Sequence, residues 1–276
     1  MRIELHCHSH RSDGTDPPRV VADRAASSGV VIFCLTDHDT FVGYPDTLET
    51  AGSMHVLRGM ELSCAERGRT VHLLAYGLAE GPGLDELGRI LERLRAARRT
   101  RVAEICARFA RWNIHLSPEA ILQKAAGATP GRPHVAAALV EAGVVRSVRE
   151  AFDRFLKDGG PADVPAERLT VEDGVAAARA AGGRVSLAHP HTVGAPEKVA
   201  ALLARARPLG LEGIEACYGL YSRRQQKPWL EMAAALGLVV TGGSDYHGVA
   251  VLPEVPAPGL DLRAPHSDRL RAWLEV

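Results

Sequence analysis

Residues Arg2–Gly14 read R-I-E-L-H-C-H-S-H-R-S-D-G. Ile3, Leu5 and Cys7 alternate with Glu4, His6 and His8. Successive side chains of a strand point to opposite faces, so the apolar trio faces a core and the polar trio shares the other side. His6 and His8 then stand about 6–7 Å apart along the strand, a workable spacing for two imidazoles on one metal ion. Asp13, in the turn Ser12-Asp13-Gly14, offers a carboxylate just past the strand end. Alone, H-x-H is about as good a polar strand face as a metal site. The rest of the chain decides.

Working outward, Pro17–Ser28 carries helix marks, with proline near the start and Gly29 just past the end. Val30–Leu35 is a short continuous apolar run, the pattern of a strand buried on both faces, and it ends in Thr36-Asp37-His38-Asp39. A short helix is expected over Asp46–Gly52, a strand over Val56–Cys64 carrying Glu61, and a strand over Thr70–Tyr76 carrying His72. This spacing points to parallel βα units.

From Leu84 the texture changes. Apolar residues at helical spacing among many arginines predict helix to Trp112. Further helices start at Ser117-Pro118-Glu119, with serine as the cap, at Gly131-Arg132-Pro133-His134, and at Ser147. Gly159, Gly160, Pro161 and Pro165 read as a linker. Residues 84–165 are thus expected to form a helical insertion, or lid, in a discontinuous barrel made of 1–83 and 166–276. The βα texture resumes at Thr170, in a Thr-x-x-Asp capping pattern. Strands Arg184–Ala188, Leu211–Tyr218 and Leu238–Thr241 follow, with helices Pro196–Ala206, Gln225–Leu236 and Ser267–Leu274.

Length and composition agree. The 276 residues suit one α/β barrel, and 46% apolar with 24% charged residues is the usage of a soluble globular protein. A formal net charge of zero advertises neither a polyanion nor a membrane surface as partner. The five scattered cysteines read as small buried hydrophobes in a reducing compartment. The chain opens on a strand, so no signal peptide is expected, and no apolar run approaches the ~20 residues of a membrane span. The expectation is a cytoplasmic protein with no membrane association and no implied protein partner.

Several predicted strands end in, or carry, histidine or carboxylate: His6 and His8, His38, Glu61, His72, His189, and Asp245 with His247. Parallel βα barrels build active sites at the carboxyl ends of their strands. Singly each His is a satisfied structural residue; the coincidence across six strands argues otherwise. Eight or nine N and O donors exceed what one ion takes and suffice for two or three.

The ordered segments E-L-H-C-H-S-H-R-S-D-G, L-T-D-H-D-T, G-M-E-L-S, V-H-L-L-A-Y, L-A-H-P and G-G-S-D-Y-H-G resemble the PHP (polymerase and histidinol phosphatase) superfamily across essentially the whole chain. The G-R-P-H and E-A-F-D-R-F-L segments narrow the resemblance to its bacterial nucleotide-directed branch of 3′,5′-nucleoside bisphosphate phosphatases and 5′-nucleases. Glu4 departs from the family, which usually has aspartate there. The resemblance implies a distorted seven-stranded (β/α) barrel and a trinuclear site. One ion would lie on His6, His8, Glu61 and Asp245, a second on Glu61, His72 and His189, and a third on Asp13, His38 and His247. Two to three divalent ions are expected, with Mn²⁺ first and Zn²⁺ or Fe²⁺ as alternatives, because mixed imidazole and carboxylate ligation suits these better than Mg²⁺.

The expected reaction is phosphomonoester hydrolysis by a metal-bridging hydroxide, on a small nucleotide and foremost on the 3′-phosphate of a nucleoside 3′,5′-bisphosphate. Glu61 and Asp245 are the expected catalytic carboxylates. Arg132 is the expected phosphate clamp, for its bidentate fork and its place at a helix start. His134 is expected to hydrogen-bond substrate or act as acid to the leaving oxygen, and Tyr218 to stack on a base. No Gly-x-Ser-x-Gly elbow or P-loop is present. Asp37 and Asp39 are read as turn residues or orienting partners, and His10, His55, His115 and His266 as solvent-facing. The run Arg89, Arg93, Arg95, Arg98, Arg99 and Arg101 is read as a solvated helix face paired with Glu86, Glu92 and Glu104. Competing readings are a 5′-to-3′ exonuclease on short RNA or oligonucleotides, a histidinol-phosphate phosphatase, and a non-catalytic metal-stabilised binding module.

Overall fold

The computed structural model describes residues 1–50, 52–125, 130–165, 167–255 and 257–276. The chain divides into two compact units, residues 1–89 with 169–276, and residues 90–168. These limits differ from 84 and 165 because one helix, Pro82–Ala110, runs unbroken through the first junction. Ala166, the expected first residue of the returning barrel, lies outside the described residues, as does Ala51 in the expected helix 46–52.

In chain order the elements are β1 (Arg2–Glu4), α1 (Pro18–Ser27), β2 (Ile32–Leu35), α2 (Tyr44–Leu48), β3 (His55–Glu66), β4 (Arg69–Tyr76) and α3 (Pro82–Ala110). The second unit adds α4 (Pro118–Lys124), α5 (Arg132–Glu141) and α6 (Val148–Ala151), the last running on into a π-helical turn. The first unit resumes with β5 (Leu169–Thr170), α7 (Val171–Ala180), β6 (Arg184–Leu187), α8 (Pro196–Ala206), β7 (Leu211–Tyr218), α9 (Arg223–Leu236), β8 (Val239–Gly243), β9 (Leu260–Asp261) and α10 (His266–Leu274).

The strands pair in the order β8-β7-β6-β4-β3-β2-β1-β9, with β5 on β3. The segments past β1 and β8 then run side by side: the Asp245 N–H donates to His6 O at 2.7 Å, and the His8 N–H to Tyr246 O at 2.8 Å. Seven strands thus nearly close a barrel, as expected. Its distortion is a hairpin. β3 and β4 pair antiparallel from Gly59↔Tyr76 to Glu66↔Arg69, which corrects the parallel βα reading of these two strands. Only Arg67 and Gly68 connect them, at φ of +49° and +80°. A parallel crossover needs a dozen or more residues, whereas a two-residue turn with positive φ makes a tight hairpin. β4 is also antiparallel to β6.

The first strand keeps its two faces but is shorter than the alternation. β1 ends at Glu4, and Glu4, His6 and His8 are all fully buried. The polar side of R-I-E-L-H-C-H faces the barrel interior, and Ile3, Leu5 and Cys7 are equally buried on the other side. There α1 lays Val21, Ala22 and Ala25 against Phe33, Leu35 and Cys7, the i, i+1, i+4 stripe of an amphipathic helix. All five cysteines are free, and Cys217 is half-buried where the others are buried.

The second unit has its own core. Val102, Ile105 and Phe109 of α3, spaced i, i+3, i+7, meet Ile121, Val135, Leu139 and Leu156. The Ser117 hydroxyl caps α4 by accepting the Ala120 N–H at 3.1 Å. The arginine run is not uniformly solvated. Arg89 pairs with Glu86 and Arg93 with Glu167, but Arg101 is only 8% exposed. Its Nε donates to Val164 O at 2.6 Å and its Nη2 to Asp163 at 3.1 Å, so it binds the linker to α3. Among the described residues no helix is long and apolar enough to cross a membrane.

Candidate metal centre

All nine expected metal ligands belong to the first unit. His6, His8 and Asp13 follow β1, His38 follows β2, His189 follows β6, and Asp245 and His247 follow β8. These are the carboxyl ends of parallel strands, where barrel sites form. Glu61 and His72 come instead from inside the hairpin, whose length carries them to the same place; His38 bridges Glu61.

Glu61 is the hub. Its Oε2 lies 3.3 Å from His6 Nε2, 3.3 Å from His8 Nε2 and 3.1 Å from His38 Nδ1. Its Oε1 lies 2.9 Å from both His72 Nδ1 and His189 Nε2. Asp245 Oδ1 faces the same two nitrogens, at 3.3 Å from His6 Nε2 and 3.2 Å from His8 Nε2. Asp13 meets His8 Nδ1 at 3.6 Å, His247 Nε2 at 3.4 Å and His38 Nε2 at 3.7 Å. Three sets bring their ligand atoms within 4.8 Å of one another: His8, Asp13, His38 and His247; His6, His8 and Glu61; and His38, Glu61 and His72.

Two observations say that these donors suit divalent ions. First, among the described residues, His6 Nε2, His8 Nε2 and Asp13 Oδ1 are buried with no hydrogen bond, a costly state for polar atoms unless something else binds them. Second, with metal–ligand bonds of about 2.1 Å, neighbouring ligand atoms stand roughly 3.0 Å apart in an octahedron and 3.4 Å in a tetrahedron. The N···O separations of 2.9–3.3 Å around Glu61 and Asp245 fall on those edges.

Buried partners fix the ring orientations. Glu215, fully buried on β7, sits 2.9 Å from His6 Nδ1 through Oε1, and its Oε2 accepts the His189 N–H at 2.7 Å. It therefore turns His6 Nε2 toward Glu61 and Asp245, the usual arrangement behind a ligating imidazole. Sequence reading missed it. The signal was a second carboxylate in the strand L-E-G-I-E-A-C-Y, three residues past Glu212 and so of opposite strand parity to it. Tyr218 donates its O–H to Asp245 Oδ2 at 2.7 Å, leaving Oδ1 for the histidines. Asp37 accepts from the Ser9 N–H and hydroxyl, both at 2.7 Å, and from the Ser12 hydroxyl at 2.6 Å, and so shapes the loop that carries His8 and Asp13. Asp39 accepts the Ser63 N–H at 2.7 Å.

Glu4, the departure from the family pattern, binds no histidine side chain. Its Oε1 accepts the N–H groups of His6 and Ser244, both at 3.0 Å, and its Oε2 that of Gly259 at 2.5 Å. It staples the end of β1 to the end of β8. A Cβ on Gly243 would stand 2.3 Å from His6 N and 2.7 Å from Glu4 Oε1, so only glycine lets the two strands approach. Asp39 and Asp245 hold φ of +52° and +56°, strain of the kind folds retain at functional sites.

Electrostatics bind the cluster together. Burial alone would raise the carboxyl of Glu61, but His38, His72 and His6 hold it well below the usual range. Asp13 and Asp245, buried likewise, are held well below by His38 and His247, and by His6 and His247, respectively. Burial opposes protonation of His8, yet Asp245, Glu61 and Asp13 raise it to about 10. His6, against the same burial, is raised well above its usual value by Glu215, Asp245 and Glu61. Burial wins at His38, which drops to about 4.

Arg132 and His134 belong to the second unit, in the first turn of α5. Arg132 Nη1 donates to Leu156 O at 2.8 Å and to Asp158 at 2.7 Å. His10, His55 and His115 are exposed as expected, whereas His266 is half-buried. His191 donates its backbone N–H to the Tyr221 hydroxyl at 3.2 Å.

A sequence profile of the PHP domain family matches residues 4–158. The chain is 30% identical over 260 residues to a 3′,5′-nucleoside bisphosphate phosphatase of Chromobacterium violaceum, covering 89% of this chain and 87% of that one. It is 30% identical over 250 residues to a 5′-3′ exoribonuclease of Haemophilus influenzae, covering 89% and 90%. The crystal structure of a putative metal-dependent phosphoesterase from Bifidobacterium adolescentis superposes with a TM-score of 0.77 at 29% identity, covering 89% and 87%. With the barrel and its pooled donors already in place, the conclusion is that this chain belongs to the PHP domain family and is a metal-dependent phosphoesterase.

Proposed function

We propose that the protein hydrolyses a phosphomonoester of a small nucleotide, with the 3′-phosphate of a nucleoside 3′,5′-bisphosphate as the leading substrate. The observation that carries this reading is the convergence of six imidazoles on the carboxylates of Glu61, Asp245 and Asp13, in a chain 30% identical to a bisphosphate phosphatase. The proposed ligands are His6, His8, Glu61 and Asp245 for one ion, Glu61, His72 and His189 for a second, and Asp13, His38 and His247 for a third. Mn²⁺ is the proposed ion, ahead of Zn²⁺ and Fe²⁺. Bound there, the ions supply an acidified water as nucleophile and offset charge on the phosphoryl oxygens.

The chain's own residues do the rest. Glu215 and Tyr218 keep His6 Nε2 and Asp245 Oδ1 turned inward. Arg132 remains the proposed phosphate clamp and His134 the proposed acid to the leaving oxygen. In support, Arg132 opens α5, where a guanidinium and a helix start both suit a phosphate. The free cysteines fit action in a reducing, cytoplasmic compartment.

The test is phosphate release by Mn²⁺-loaded protein from a nucleoside 3′,5′-bisphosphate, a 5′-mononucleotide, histidinol phosphate and short RNA. The bisphosphate should turn over fastest, leaving the 5′-mononucleotide. Preferred release of mononucleotides from RNA would favour the exoribonuclease reading, which the Haemophilus relative supports. No turnover of any of the four would overturn the proposal.

A further inference from the structure

A cleft of about 360 Å³ opens beside the metal centre, lined by His191, Tyr218, Leu220, Tyr221, Pro228 and Trp229 among others. It adjoins the centre directly: Tyr218, whose ring lines it, hydrogen-bonds Asp245, and His191 stands two residues past His189. None of the lining residues is Asp, Glu, Lys or Arg, so the cleft offers no counter-charge to a phosphate. It offers aromatic surface instead. The rings of Tyr218 and Tyr221 stand 5.0 Å apart at 64°, and those of His191 and Tyr221 5.2 Å apart at 73°. They form a corner in which a flat group meets one ring's face and another's edge, the geometry aromatic pairs prefer. Leu220, at its rim, is 42% exposed.

The corner is pre-built. The Tyr221 hydroxyl lies 2.7 Å from His191 Nδ1 and accepts the His191 N–H. The next residue, Ser222, begins α9 in a capping box with Gln225. Such rigidity lowers the ordering cost of binding. The volume is at the small end of ligand pockets, enough for one ring system.

We infer that this cleft is the base subsite of the enzyme, with Tyr221, Tyr218 and His191 selecting a single nucleobase and so a nucleotide over other phosphomonoesters. The inference rests on the proposed nucleotide phosphatase reading and sharpens it. The phosphoryl group lies at the metal centre, the uncharged base in the corner, and Tyr218 borders both.

Tyr221→Ala removes the corner without touching a proposed metal ligand. The test is calorimetric titration of Mn²⁺-loaded protein with a nucleoside 5′-monophosphate and with ribose 5-phosphate, which lacks the base. Stacking on an aromatic side chain predicts that Tyr221→Ala weakens the nucleotide roughly 5- to 150-fold, and that the affinity ratio of the two ligands collapses toward one. Tyr221→Phe, which keeps the ring and loses only the hydroxyl's bonds to His191, should keep the ratio well above that of Tyr221→Ala. Equal weakening of both ligands, or none of either, would overturn the inference. Base-dependent binding in a protein that cleaves no phosphoester would support the subsite while refuting the reaction. Cleavage without base-dependent binding would refute the subsite alone.

Discussion

Glu215→Gln tests the centre through a residue outside the proposed ligand set. The wild-type carboxylate is fully buried and serves two partners, His6 Nδ1 at 2.9 Å and the His189 N–H at 2.7 Å. An amide keeps the shape but owns one acceptor and one donor group. With its oxygen on the His189 N–H, its NH₂ faces His6 Nδ1. That nitrogen must then accept, the ring proton moves to Nε2, and the lone pair facing Glu61 and Asp245 is lost. Turned the other way, the NH₂ opposes the His189 N–H, and a buried donor left unmet costs about 1–3 kcal/mol. The first orientation weakens an ion held through His6, the second disturbs the backbone that carries His189, and loss of a carboxylate behind a ligating imidazole costs roughly 10–100-fold in affinity or activity. The assay is Mn²⁺ titration of chelator-stripped wild type and variant, with free Mn²⁺ read by electron paramagnetic resonance and the fold checked by circular dichroism. A variant that melts like wild type and binds Mn²⁺ within twofold of it would refute this orienting role.

Glu61→Ala should abolish phosphate release and lower metal stoichiometry by more than one ion, because both its oxygens face imidazoles; loss of a single ion with activity kept would count against its bridging place. The chelated protein should lose thermal stability on both sides of neutrality. His8, raised to about 10, contributes stability that is full below its unfolded value of about 6.5 and is lost as pH rises through about 10. Glu61, Asp13 and Asp245 are depressed, so their contribution is present above ordinary carboxylate values and is lost as pH falls through the folded ones. Mn²⁺ displaces the imidazole protons and should restore the alkaline limb; calorimetry from pH values below the ordinary carboxylate range up to the pH at which His8 titrates, with and without Mn²⁺, checks this, and a flat metal-free profile speaks against it. Arg132→Ala should raise KM for a bisphosphate about 10- to 150-fold, the worth of a hydrogen bond to a charged group, whereas unchanged steady-state kinetics would remove Arg132 from the substrate.

Much of this was legible because strand-end chemistry is local. His38, His189 and Asp245 each follow a largely apolar run, His6 and His8 alternate with apolar residues, and a barrel converts that one-dimensional signal into a shared pocket. Ser117, Thr170 and Gly131 marked their helix starts within a residue. What failed was what depends on partners distant in sequence. The β3–β4 hairpin was hidden because its turn, Arg67-Gly68, is not one of the strong hairpin dipeptides. The two-residue strands β5 and β9 are too short for any periodicity to show. Glu215 was missed because strand parity cannot tell a buried carboxylate bound to His6, 209 residues away, from a solvent-facing one. Arg101 looked like its solvated neighbours because its partners, Val164 and Asp163, lie across the second unit.

The most direct test of the central claim is Mn²⁺ titration of the chelator-stripped protein, with phosphate release from a nucleoside 3′,5′-bisphosphate followed at each addition. Hydrolysis should be absent in the stripped protein and climb to a plateau at two to three equivalents. Full hydrolysis before any ion is added, or none at saturating Mn²⁺, would contradict the account.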